Sequence, residues 1–480
     1  MNTQLSKQLL IANGLRCLTA IGLVCSTYLL GAGLTSHAVQ GATLADKAVA
    51  EDTTIVYVKN STELHLIQPD GTNDRLIWQI PQGAIGEIES VAWRPDAQQI
   101  AFVSSHEATC SEFNSDIYLI NPDGSNLRRL TNAPACGELA GYPQGSASVQ
   151  IANHSAAVSE FLVYVEGAPT AKVVTIAAGG STLVAFGQVA DLGAGVRQGV
   201  VVINGTTRWF DAAVTVDVTA GQNSHAGTLT VSGSGFSALG ATHASWNPQG
   251  NTLVYQLGQG RLWQVGVDVP ILGEGGPLLD PAINNSVLGT HPIWSPVDSD
   301  ILYQRFDTNP FTVSRVTAGS NTPGTALANI TLTSGLAWLS DGSGFVAADD
   351  DSLFTHTDLY LMTFADQNIV QLTQTATHQA ALYPRVSPDS NQILYTYVAD
   401  TQTKPLAPQL RIMNRDGSND HLLVANGYQA DWSRVAPANP PATPLPTPTV
   451  TPLATPPGQP TPISTPVVQP YSAFLPKIVR

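Results

Sequence analysis

Five tryptophans and one valine recur at near-equal intervals along much of the chain, and this rhythm constrains the fold more than any other feature. The positions are Trp93, Trp246, Trp294, Trp338, Val386 and Trp432, at successive spacings of 153, 48, 44, 48 and 46 residues. The same unit surrounds each: an apolar residue or proline, the anchor, a polar turn, then a short strand-like run. It reads VAWRPDAQQIAFVS at 91–104, ASWNPQGNTLVYQ at 244–256, PIWSPVDSDILYQ at 292–304, LAWLSDGSGFVAA at 336–348 and PRVSPDSNQILYT at 384–396. The four shorter spacings match one four-stranded propeller blade. The first exceeds them by about 105 residues, so something is inserted there.

The second half of the unit is a hairpin signal. IYLINPDGSNLRRLTN at 117–132 places Asp123-Gly124 between two apolar runs; Asp70-Gly71 and Asp416-Gly417 repeat it. Glycine accepts positive φ and aspartate tolerates it, so the pair predicts a tight turn. The strands predict apolar residues inward and polar ones outward, with the tryptophans packed between neighbouring blades. All these motif residues are read as structural.

The ring can be counted. Residues 54–80 hold the later strands of a unit but no anchor segment, and QADWS at 429–433 is an anchor segment with no strands after it. Each supplies what the other lacks, so the C-terminal strand is expected to complete the N-terminal blade. Closure of this kind removes an open sheet edge. The expected fold is all-β: a six-bladed β-propeller with an inserted immunoglobulin-like β-sandwich, an N-terminal signal peptide and a Pro/Thr-rich C-terminal tail.

The pattern W-[SNR]-P-[DQ]-G/A, short strand, I/L-Y-L, N-x-D-G-S-N, L-L/T resembles the TolB-like six-bladed propeller family, related to WD-repeat propellers. The resemblance covers 54–138 and 241–433. It implies a binding platform in the bacterial envelope; similar propellers also cap peptidases and form some polysaccharide lyases. Fold alone does not choose among these. The chain departs from TolB itself: only about ten residues lie between the signal and the first strand, where TolB has an N-terminal domain.

The remaining segments are read by composition. Residues 1–45 carry Lys7 and Arg16 before the apolar run Cys17–Leu34, then small residues, as a secretory signal does; an uncleaved anchor is the alternative. Cys110 and Cys136 remain after its removal, and an exported chain is expected to pair them as a disulfide, with two free buried thiols as the alternative. Residues 142–240 are poor in charge and rich in Val, Thr and Ala, with EG, GG, NG and AG turns, which predicts the sandwich. Residues 437–470 hold thirteen prolines and read as an extended stalk of about 100 Å, followed by the apolar-basic segment 471–480, a retention signal or a free end.

Charge and motifs narrow the function. A formal charge of −15 argues against a nucleic-acid partner and against an anionic bilayer, apart from anchoring at a terminus. The chain has no G-x-S-x-G elbow, H-E-x-x-H, Walker loop or dinucleotide fingerprint, so no catalytic residue and no cofactor is assigned. Asp349-Asp350-Asp351 offers hard oxygens but lacks calcium-loop spacing and reads as an acidic loop. Three residues before each anchor stand Ser90, His243, His291, Gly335, Tyr383 and Gln429, with His378 nearby. Equivalent positions of a closed ring converge on the central channel, so His243, His291, Tyr383 and Gln429 are the expected ligand-binding mouth. Imidazoles from adjacent blades suit a transition metal, a carbohydrate or a peptide end. The expected function is an exported, non-catalytic platform for a protein or glycan partner at the envelope or cell surface. The alternative is a metal-assisted polysaccharide lyase working in the channel, and whether a metal is held stays open.

Overall fold

The computed structural model describes residues 53–434, apart from 85, 109–110, 112, 133–137, 195–197, 206–209, 234–239, 259, 268–275, 280–288, 332, 352–354 and 404–405. The expected signal peptide, the Cys110–Cys136 pair, the stalk and the terminal segment therefore lie outside the described residues. The described chain is all-β and propeller-like, and no helix in it is long and apolar enough to cross a membrane.

Each repeat is an antiparallel meander, as in Ala380–Val386, Gln392–Val398, Pro408–Asn414 and His421–Ala425. Its turns follow from local chemistry. In the opening hairpin Gly124 N–H donates to Asn121 O, and Asp123 accepts from both the N–H and the hydroxyl of Ser125 at 2.9 and 2.6 Å. Gly124 and Asn126 have φ of 84° and 55°, so Asp-Gly-Ser-Asn is selected by hydrogen bonds and left-handed backbone together. Asp70 with Thr72 and Asp416 with Ser418 repeat the arrangement.

The anchors do more than fill space. Trp246 Nε1 donates to Ala92 O at 3.1 Å, Trp338 Nε1 to Ile293 O at 3.0 Å, and Trp432 Nε1 to Arg385 O at 3.2 Å. Each indole thus ties its own innermost strand to the residue just before the preceding anchor. The apolar core passes from sheet to sheet in the same way. Trp246 and Leu253 pack with Ala92 and Ala101, Trp294 with Val254, Trp338 with Leu302, and Ala381 with Ala337. Ile55 and Tyr57 pack with Leu394 and Trp432, which returns the core to its start.

The clasp is present. Gly427–Trp432 pairs antiparallel with Ile55–Lys59, from Ile55 opposite Trp432 to Lys59 opposite Gly427, and completes the sheet with Glu63–Ile67 and Arg75–Gln79. A single parallel bridge, Thr357 to Ala380, joins two neighbouring meanders into one sheet.

The chain leaves the ring after Arg128–Arg129, the last strand of the sheet begun by Ile88–Trp93, and returns at Ala241–Trp246, which packs beside that sheet. The strands between form two sheets over one core. In chain order they are Gln144–Asn153, Ser159–Val165, Lys172–Ile176, Ser181–Ala190, Gln198–Asn204, Phe210–Val216 and Asn223–Val231. Phe161, Val163 and Val200 of one sheet meet Val149, Phe186 and Leu229 of the other. The strand order corrects the immunoglobulin-like expectation. The third, second, fifth and sixth strands form one sheet, while the first lies between the fourth and the seventh in the other. Immunoglobulin order instead pairs the first strand with the second. The seventh strand runs parallel to the first, which a chain of hairpins alone does not produce.

Candidate functional site

The innermost strands are not regular. Those of four units slip register around His243, His291, Gly335 and Tyr383, and Gln429 is the extra residue opposite Tyr57 and Val58. A bulge leaves a residue outside the ladder and re-aims its side chain. The backbone there is left-handed, with φ of 53° at His243, 51° at His291, 52° at Tyr383 and 48° at Gln429. Gly335 has φ of 133°, and a Cβ on it would meet Tyr383 Cα at 2.8 Å. Non-glycine residues resist this conformation by about 1–3 kcal/mol each.

The geometry brings the expected residues together. The rings of His243 and His291 have centroids 3.8 Å apart at 44°, and Tyr383 lies 6.5 Å and 6.4 Å from them. Gln429 stands beside the Tyr383 phenol. Gln429 is held in turn by its N–H on Thr396 Oγ1 at 3.1 Å. Thr290 Oγ1 contacts His291 Nδ1 at 3.2 Å and donates to Gln256 Oε1. His243 Nδ1 is buried without a hydrogen-bond partner.

The electrostatics keep both imidazoles neutral. Burial pushes His243 down to about 4, helped by the nearby Arg385 charge, against a hydrogen bond with Gln256. Burial, His243 and Arg385 hold His291 well below its usual value. Burial pushes the Tyr383 phenol up to about 12. The mouth is therefore an uncharged set of hydrogen-bonding and aromatic groups.

Two sequence expectations change. Ser90 pairs in the ladder opposite Val103 and is buried; the residue left over between Ile88 and Ser90 is Glu89. The bulge here sits one residue further from the anchor, so counting back three from Trp93 misses it. Burial, reinforced by Glu87, pushes the Glu89 carboxyl up to about 8, and Glu89 is close enough to Tyr383 and Tyr428 to raise both phenols. His378 stands in an exposed turn with φ of 68°, outside the cluster. The acidic triplet also has a local use. Asp349 accepts Thr331 N–H at 2.8 Å, Asp350 accepts the Thr357 hydroxyl at 2.6 Å, and Asp351 accepts His356 N–H at 3.0 Å.

A second layer lies one residue before each anchor. Arg385 and Asp431 stand there in place of the small or apolar Ala92, Ser245, Ile293 and Ala337. Both line a cavity of about 80 Å³ together with Arg434. The sequence signal was available: a charge immediately before the anchor occurs in two of the six units.

Sheet order, core and channel define a β-propeller-like protein. No described protein family matches the chain, and no curated protein does. Among solved structures it is similar to TolB from Acinetobacter baumannii, with a TM-score of 0.46 and 13% identity, covering 80% of this chain and 67% of that one. It is also similar to a nidogen/laminin complex chain, with a TM-score of 0.41 and 10% identity over 79% and 98% of the two chains. An oligogalacturonate lyase in complex with manganese follows, with a TM-score of 0.32 and 12% identity over 77% and 83%. Likeness this loose carries nothing about activity, and the propeller reading rests on the chain's own repeat and strand order.

Proposed function

We propose that this chain is an exported, non-catalytic, six-bladed propeller that holds a protein or glycan partner at the cell envelope or surface, with the channel mouth as the recognition point. The observation that carries this reading is the left-handed bulge at His243, His291, Tyr383 and Gln429. A bulge that served only the strand would favour glycine, as Gly335 shows, or asparagine. Here four polar side chains are kept in a strained backbone and meet at one place. Aromatic faces beside neutral donors and acceptors suit a sugar ring or a peptide end. The inserted two-sheet module is an accessory contact surface in this reading.

The lyase alternative has one observation in its favour, two neutral imidazoles side by side, which is the form a metal requires. The fit is incomplete. Among the described residues no three His, Cys, Asp or Glu side chains are grouped as a metal set would be. No step through a metal is therefore derived.

The test compares wild type with a His243→Ala/His291→Ala double variant on a glycan array and on an envelope-peptide library, with bound metal measured in both. Binding that disappears in a folded double variant supports the platform. Equal binding by both proteins refutes the channel-mouth assignment. Near-stoichiometric metal in wild type alone moves the assignment to the enzyme.

A further inference from the structure

The second layer of the channel carries a chemistry that the histidine layer lacks. The Arg385 side chain is only 17% exposed, yet its hydrogen bonds come from Nη1 alone, to Leu336 O at 3.3 Å and Pro384 O at 2.9 Å. The nearest acid is Asp431, whose Oδ1 lies 3.8 Å from Nε, beyond hydrogen-bond reach. The other oxygen of Asp431 already accepts Trp93 N–H at 2.7 Å. Nε and Nη2 are thus left without an acceptor, on a side chain that lines the cavity of about 80 Å³. Both atoms keep contact with the solvent of the cavity, so the fork is open to an incoming acceptor.

The other polar groups of the cavity do not meet this demand. Ser245 Oγ accepts Trp294 N–H at 3.0 Å, and Ser340 Oγ donates to Ser387 O at 2.6 Å. Arg434, at the exposed rim, reaches only Pro296 O at 3.4 Å. Two guanidinium groups face one carboxylate, so the layer is one negative charge short of balance. The volume is enough for roughly five waters, hence for a small anionic head group.

We propose that this layer is a carboxylate-binding site. Arg385 takes the carboxylate through its Nε and Nη2 fork, the paired geometry that suits two oxygens. Arg434 closes on it from the rim, and the edges of the anchor tryptophans wall the body of the ligand. The carboxylate is that of an acidic sugar or of a peptide C-terminus. The assignment stands apart from the histidine layer.

The tryptophan wall supplies the readout. The whole chain is titrated by intrinsic fluorescence with sodium glucuronate against glucose, and with one short peptide carrying a free or an amidated C-terminus. A saturable change is expected with a free carboxylate, at least about tenfold weaker without it, and the stronger responder identifies the source. Arg385→Lys keeps the charge and loses the fork, and Arg434→Gln removes the rim charge; each is expected to weaken binding about tenfold. His378→Ala, in an exposed turn outside the cluster, is expected to leave the response in place. The proposal is overturned if no probe saturates, if neutral and anionic probes bind alike, or if Arg434→Gln and a folded Arg385→Lys bind like wild type. Should Arg385→Lys not fold, Arg434→Gln decides the matter.

Discussion

Replacing Glu89 by glutamine isolates the energy of one buried carboxyl. In the unfolded chain this group ionises near 4.5, and in the fold near 8. Between those values the unfolded chain has lost the proton while the folded one keeps it, so stability falls as pH rises from 4.5 to 8. At pH 7 the gap spans 2.5 pH units above the unfolded value, about 3 kcal/mol at 1.36 kcal/mol per unit. Channel water reaches part of the side chain and screens some of this, so about 1.5–3 kcal/mol is expected. Glutamine has the same shape and no charge. Glu89→Gln should match wild type near pH 4.5 and exceed it by that margin at pH 7. Reversible urea unfolding at half-unit steps from pH 4.5 to 8 measures it, as a midpoint that diverges between the two proteins with an unchanged slope. Parallel curves across the range would show that Glu89 ionises normally and does not face an enclosed channel.

Other consequences follow from the same geometry. In the Glu89→Gln background, stability should fall as pH drops from 6.5 toward 4, because His243 and His291 stay neutral in the fold while their unfolded forms gain protons, His243 accounting for about 3 kcal/mol of the loss; adding His243→Gln should make that acid limb shallower by about that amount in the same urea series, with His291 supplying the remainder. Gly335→Ala should destabilise by about 1–3 kcal/mol, since the φ is unfavourable and the new Cβ meets Tyr383 Cα at 2.8 Å; thermal unfolding measures it, and an unchanged midpoint would refute the close approach. Trp432→Phe keeps an aromatic ring but deletes the donor to Arg385 O, so about 1 kcal/mol should be lost. Deleting 427–434 bares the edge of Ile55–Lys59 and should give an aggregating protein by light scattering.

What could be read from the chain alone was whatever repeats or acts locally. The anchor spacing pointed to the meanders, and the Asp-Gly-Ser-Asn turns formed where expected, because a side chain bonding its own backbone two residues on needs no distant partner. The clasp was legible because each half of the split unit lacked what the other carried. The convergence of His243, His291 and Tyr383 followed from equivalence under the ring. Tertiary structure decided the rest. The bulge that selects Glu89 rather than Ser90 is a one-residue choice of ladder register, set by how Ile88–Trp93 packs on both neighbours. The strand order of the insert rests on pairings between residues nearly eighty positions apart, which an alternating pattern permits without selecting. The charged layer of Arg385 and Asp431 looked like two ordinary polar residues until the closed ring enclosed them. Enclosure strips away most of the water around them, leaving 17% and 22% of their side chains exposed, and no local stretch of sequence records how much water a side chain will lose.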